Sequence, residues 1–196
     1  MPRLITALLL AVALALGGVL AFRTVLAPLG GDSVDARPAV PNELLVGDDG
    51  RARRLSSSNG QTRLVFFGFT RCPDVCPLTL GALARAYERL TPAQREQLKV
   101  VFVTVDPDFD TPEQLRAYLN KFNPDFAGLT GSGPALAKMR QGFYISFGKA
   151  GAGNFVHGDS VAVVDPRGRM RRVYGQDAVA SGTLARDLPR LASERY

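Results

Sequence analysis

A chain of 196 residues, 46% hydrophobic and 21% charged, has the ordinary composition of a globular protein and the length of one domain with a stretch to spare. The net charge of +6 raises nucleic acid as a partner, yet only Lys99, Lys121, Lys138 and Lys149 are lysines, no helical pattern carries a basic stripe, and no basic residues interleave with aromatics. The excess therefore reads as solvated surface, no nucleic-acid partner is expected, and neither repeats nor low-complexity tracts occur.

Leu4 to Phe22 is an uncharged apolar run with Arg3 before it and Arg23 after it. As a helix it would extend about 28 Å, close to the ~30 Å hydrocarbon core of a bilayer. Residues 1–24 are read as an N-terminal membrane anchor, with a cleaved signal peptide as the competing reading. The basic N-terminus is expected to stay in the cytoplasm, which places the remainder on the exported face of a bacterial inner membrane. No cysteine lies near the segment, which argues against a lipid-anchored form. Residues 25–40 are rich in Ala, Pro, Gly and Asp without hydrophobic period and are expected to be a flexible linker. The folded domain is expected over 41–196.

Within it, Leu44–Val46 and Arg51–Leu55 flank the turn Gly47-Asp48-Asp49-Gly50 as a hairpin. Leu64 to Phe69 is a near-continuous apolar run, a strand covered on both faces. A helix follows to about Leu90, with Pro77 in its first turn and Leu80, Leu83, Ala84, Tyr87 and Leu90 on one face. Thr91-Pro92-Ala93-Gln94 is a capping-box pattern. Lys99 to Val105 reads as a second buried strand. Thr111-Pro112-Glu113-Gln114 repeats the box and starts a helix through about Phe122. Phe126–Thr130 is a short strand, and Pro134 opens a helix to about Gln141. Phe143–Phe147 then reads as a strand and Lys149–Asn154 as a Gly-rich loop leading to His157. Val161–Val164 and Met170–Tyr174 form a hairpin, and a last helix starts near Asp177. Alternating strands and helices predict an α/β fold with parallel pairing. Arg167, Arg169, Arg171 and Arg172 read as a solvated strand edge, with docking to an acidic partner as the alternative.

The chemistry concentrates between the first buried strand and its helix. Cys72 and Cys76, the only cysteines, are separated by three residues in Thr70-Arg71-Cys72-Pro73-Asp74-Val75-Cys76-Pro77. A helix N-terminus and Arg71 should favour thiolate at Cys76 and, to a lesser degree, at Cys72. Such a pair serves thiol–disulfide exchange or soft-metal binding, and the extra residue relative to C-x-x-C widens the bite for a metal. A third ligand would then be needed. His157 is the one histidine; it is either a structural loop residue or the imidazole of a Cys₂His copper site.

Gly68 to Pro77, Val105-Asp106-Pro107 with Asp110-Thr111-Pro112-Glu113, and His157 eight residues before Asp165-Pro166 together resemble the Sco/SenC family of copper chaperones for cytochrome c oxidase assembly. The likeness spans about Pro41 to Leu191. It implies a thioredoxin-like fold, a central mixed sheet flanked by helices, carrying copper as Cu(I) or Cu(II) on Cys72, Cys76 and His157. It also implies delivery to the CuA-bearing subunit of cytochrome c oxidase, with another copper chaperone and a thiol reductant as further partners. The chain departs from the family in carrying Arg71, and in the surroundings Val156 and Gly158 of the histidine; Asp159 is the nearest replacement for the usual preceding carboxylate. In such a sheet the loop before Val161 lies beside the Cys72 turn, and no proline occupies it between Gly148 and Ser160.

Asp74, in a turn, and Asp106, before a proline, match ordinary loop usage, while the resemblance gives them a place beside the metal or at a docking surface. Asp110 reads as helix-end chemistry. A thiol–disulfide oxidoreductase acting on the copper acceptor through Cys72 and Cys76 is the alternative function, and a purely structural disulfide a third. No catalytic residue outside that pair and no phosphate-cradling loop is found.

Overall fold

The computed structural model describes residues 2–22, 28–145, 147–149, 155–157 and 159–194. Helix α1 (Pro2–Ala21) comes first, and its side chains from Ile5 to Leu20 are exposed. Over the described residues no helix is long and apolar enough to cross a membrane.

The strands are β1 (Asp32–Ser33), β2 (Leu45–Gly47), β3 (Ala52–Arg53), β4 (Thr62–Gly68), β5 (Leu98–Thr104), β6 (Ala127–Thr130), β7 (Phe147–Lys149), β8 (Phe155–His157), β9 (Val161–Val164) and β10 (Met170–Tyr174). Eight of them make one sheet in the order β1-β10-β9-β4-β5-β6-β2-β3, while β7 and β8 pair separately. β4, β5 and β6 run parallel, and β9 joins β4 antiparallel, so the sheet is mixed as expected. Every residue of β4 is buried. Strand alternation divides them: Leu64 and Phe66 face one core, Val65 and Phe67 the other.

Helices α2 (Val75–Glu88), α3 (Pro92–Gln97), α4 (Pro112–Leu119), α5 (Gly133–Gly142), α6 (Gln176–Ala180) and α7 (Thr183–Ser193) complete the fold. α2 sets Leu80, Leu83, Ala84 and Tyr87 against the first core, with Leu115 and Leu119 of α4 and Leu184, Leu188 and Leu191 of α7. α5 covers the second core through Ala135, Leu136 and Met139. Both expected capping boxes form: Thr91 and Thr111 each accept from the third-residue N–H, and Gln94 and Gln114 reach back. The single C-terminal helix predicted near Asp177 is two, because Gly182 takes a left-handed conformation (φ 79°) between α6 and α7. The strand expected from Phe143 starts later, since Phe143 ends α5 and Tyr144 has φ 56°. Residues 150–154 of the expected Gly-rich loop lie outside the described residues.

The second half of the stretch read as a linker lies along the domain. β1 pairs with β10, Gly30 donates its N–H to Asp187 at 2.6 Å, and Val40 is buried. Two arginines of the run, Arg169 and Arg172, serve this attachment. Arg172 donates to the carbonyls of Gly30 and Gly31, each at 2.9 Å, and Arg169 to that of Arg37 at 3.2 Å. β10 is thus covered by β1 and is not a solvated edge.

Candidate thiol site

β4 ends at Gly68, which lets the chain leave the sheet closely packed. A Cβ there would stand 2.7 Å from Cys76 Sγ and 2.8 Å from the Phe102 ring, so the missing side chain is what seats the sulfur. Cys72 N–H donates to Phe69 C=O at 3.2 Å, closing the turn that presents Cys72 half-exposed, while Cys76, the second residue of α2, is fully buried. Both are free thiols.

Burial pushes the Cys76 thiol strongly up, the Phe69 backbone bond opposes it next, and the neighbouring Cys72 and Asp110 raise it further. The expected helix-stabilised thiolate is therefore not the state of this sulfur in the metal-free chain; desolvation in a fully covered position outweighs the dipole. Nor does Arg71 serve the thiols. Its guanidinium donates to Asp106 at 2.6 Å and stacks 4.0 Å from the Phe109 ring centroid.

That ion pair is one of two ties between the cysteine loop and the loop after β5. The other centres on Asp110, fully buried. It accepts the Thr70 N–H at 3.1 Å, the Thr70 hydroxyl at 2.5 Å and the Thr104 hydroxyl at 2.6 Å, and Thr104 accepts the Asp106 N–H at 2.9 Å. Burial nevertheless raises the Asp110 pKa, the threonine bonds opposing it. Asp110 is not a helix end: Thr111 is the N-cap of α4. The sequence motif Asp110-Thr111-Pro112-Glu113 did not reveal this role, since the donors lie forty residues upstream and six before it. Asp74 is exposed at the N-cap of α2 and makes no capping bond, and Asp106 is buried beside the loop. The Tyr118 hydroxyl completes the surroundings. It is buried without a hydrogen-bond partner, and its pKa is driven up first by burial and then by Cys76, Cys72 and Asp110.

His157 ends β8 opposite Phe147 in the β7–β8 pair, and its side chain lies outside the described residues. Among the described residues no group of three or more His, Cys, Asp or Glu could hold a metal. The structure brings together Cys72, Cys76, Asp106 and Asp110, and it places Asp74 at the solvent side of the same turn.

A mixed sheet with helices on both faces and a cysteine pair between a central parallel strand and its helix defines a thioredoxin-like thiol protein. The SCO1/SenC family model matches residues 39–193, and the chain belongs to that family. Apo Sco1 from Thermus thermophilus superposes with a TM-score of 0.74 at 38% identity, covering 85% of this chain and 99% of that one. The structure of Bradyrhizobium japonicum ScoI with copper bound gives 0.65 at 26% identity, covering 79% and 99%. A SCO2-like protein of Rickettsia prowazekii strain Madrid E is 30% identical over 142 residues, 69% of each chain. Against a SCO2-like protein of Rickettsia conorii the chain spans only 53% of the relative's length.

Proposed function

We propose that this chain is a membrane-tethered copper carrier that holds Cu(I) or Cu(II) on Cys72, Cys76 and His157 and delivers it to the CuA-bearing subunit of cytochrome c oxidase. The observation that carries the reading is the pair of free thiols on one turn, one half-exposed and one seated under Gly68, braced by Asp110 and Asp106. Two sulfur donors at fixed spacing suit a soft cation, and the half-exposed Cys72 gives it access. Copper in the Bradyrhizobium relative supports the same cargo. Both thiols must be deprotonated to bind, so loading displaces protons. The apolar sequence run from Leu4 to Phe22 supports a tether in a bacterial inner membrane, with the N-terminus inside and the domain exported. In that oxidising space a thiol reductant and a copper-donating chaperone are the further partners. Anaerobic copper titration of the full chain in detergent tests this. One copper per chain and a large loss of affinity in His157→Ala are expected; undiminished stoichiometric binding in that variant removes the histidine from the site.

The second reading, a thiol–disulfide oxidoreductase, is favoured by the unequal exposure of the two sulfurs, which suits Cys72 to attack and Cys76 to resolve. Full oxidase assembly by His157→Ala, with loss in Cys72→Ser, would select it.

A further inference from the structure

Four buried polar side-chain atoms among the described residues lack a hydrogen-bond partner, and three of them, Arg63 Nε, Arg63 Nη1 and Asp48 Oδ2, belong to residues lining one cavity of ≈ 410 Å³. Volumes of this order hold small organic molecules. The cavity lies where β4 and β5 begin, roughly 20 Å of strand away from the cysteine loop at their far ends.

Arg63 is 3% exposed, and the one hydrogen bond of its side chain among the described residues runs from Nη2 to the Asp165 carbonyl at 3.0 Å. The Asp165 carboxylate attracts Arg63 only at longer range; its close contacts are the N–H groups of Arg167 and Arg169 at 2.9 Å each and Arg171 at 3.8 Å. Lys99 stands beside Arg63 at the same register of the parallel pair, on the same face, and makes no direct ion pair among the described residues. Like charges at adjacent strand positions repel. The cavity's own carboxylates do not resolve this: Asp48 Oδ1 holds Arg116 at 2.8 Å and Asp49 holds Arg53 at 2.5 Å. Asp125 also lines the cavity, and both it and Asp48 attract Lys99 only at longer range. Cationic side chains thus outnumber carboxylates five to three around the space. The orphaned atoms are closed to bulk water, and water in the cavity would not neutralise two adjacent cations.

We infer that this cavity is a binding site for a compact organic oxyanion bearing a hydroxyl beside its charge. Arg63 and Lys99 hold the charged group, and Asp48 Oδ2 accepts from the hydroxyl. A carboxylate and a phosphate ester both supply that chemistry.

Calorimetry and thermal unfolding of the full chain in detergent test it, with malate, succinate and glycerol 3-phosphate compared at ionic strength matched with chloride. Malate or glycerol 3-phosphate should saturate one site and raise the melting temperature, and the tighter of the two names the charged group. Succinate, lacking the hydroxyl, should bind roughly tenfold more weakly than malate, a gap that Asp48→Asn narrows. Lys99→Met, at a half-buried position, should weaken binding by about tenfold or more, and Arg63→Met further where it folds. No saturation above the chloride control, or unchanged affinity in Lys99→Met, overturns the assignment and leaves the cavity to solvent.

Discussion

Replacing Asp110 with alanine tests whether the cysteine loop is held from below. The substitution deletes three accepted hydrogen bonds, from the Thr70 N–H, the Thr70 hydroxyl and the Thr104 hydroxyl, and strands donors in a region where Thr104 is fully buried. Each bond to a charged acceptor is worth about 1.5–3 kcal/mol. Against their sum stands the relief of no longer burying a carboxylate, a penalty of several kcal/mol. The net expectation is a loss of about 2–4 kcal/mol, or roughly 4–16 °C in melting temperature for a chain of this size. Asp110→Asn keeps the shape and should lose less. It should also change the pH profile. Because the folded carboxyl has a raised pKa, its stabilising contribution is complete below the ordinary aspartate range and declines as pH rises through the folded value. The wild type should therefore gain on the asparagine variant as pH falls. Urea unfolding across pH measures both effects. A loss below about 1 kcal/mol in Asp110→Ala, or a difference from Asp110→Asn that does not grow towards acid, refutes the brace.

Gly68→Ala should destabilise by about 1–3 kcal/mol, since neither the Phe102 ring nor the helix-held sulfur can yield easily, and should speed alkylation of Cys76. An unchanged alkylation rate would show that the sulfur does not depend on that space. Tyr118→Phe removes an orphaned buried hydroxyl and should be neutral or stabilising by about 1 kcal/mol in urea unfolding; a clear loss would reveal a bond to the hydroxyl. Arg172→Ala should raise amide exchange over residues 28–33, because it deletes the bonds to the Gly30 and Gly31 carbonyls. Unaltered protection there would assign the attachment to the β1–β10 pairing alone.

The core was legible because its strands are continuous apolar runs. Leu64 to Phe69 and Lys99 to Val105 identify β4 and β5 to within two residues, since strands covered on both faces are apolar along their middle and keep their few polar side chains to the ends. The capping boxes were legible for the same local reason, as their partners lie three residues apart. The bracing of the thiol loop was not. The hydroxyls of Thr70 and Thr104 meet on Asp110 only because parallel pairing sets Gly68 beside Thr104, a register that no short window contains. The attachment of residues 28–40 was hidden likewise, since the strand they cover lies some 140 residues later.

The thiols show most plainly where local reasoning stops. Position at a helix N-terminus is visible in sequence and argues for thiolate at Cys76; depth is not visible, and depth raises the proton affinity instead. A sulfur held protonated beneath Gly68 is a poor free nucleophile, and a cation is what reverses that balance, because its charge replaces the proton's. Copper loading of the reduced chain should then release at least one proton per copper, that of Cys76, at every pH at which the protein is folded, mildly alkaline solution included. A weakly buffered anaerobic titration reads the protons directly. A yield that falls below one proton per copper through the ordinary thiol range would mean that Cys76 ionises without the metal and that burial does not hold its proton.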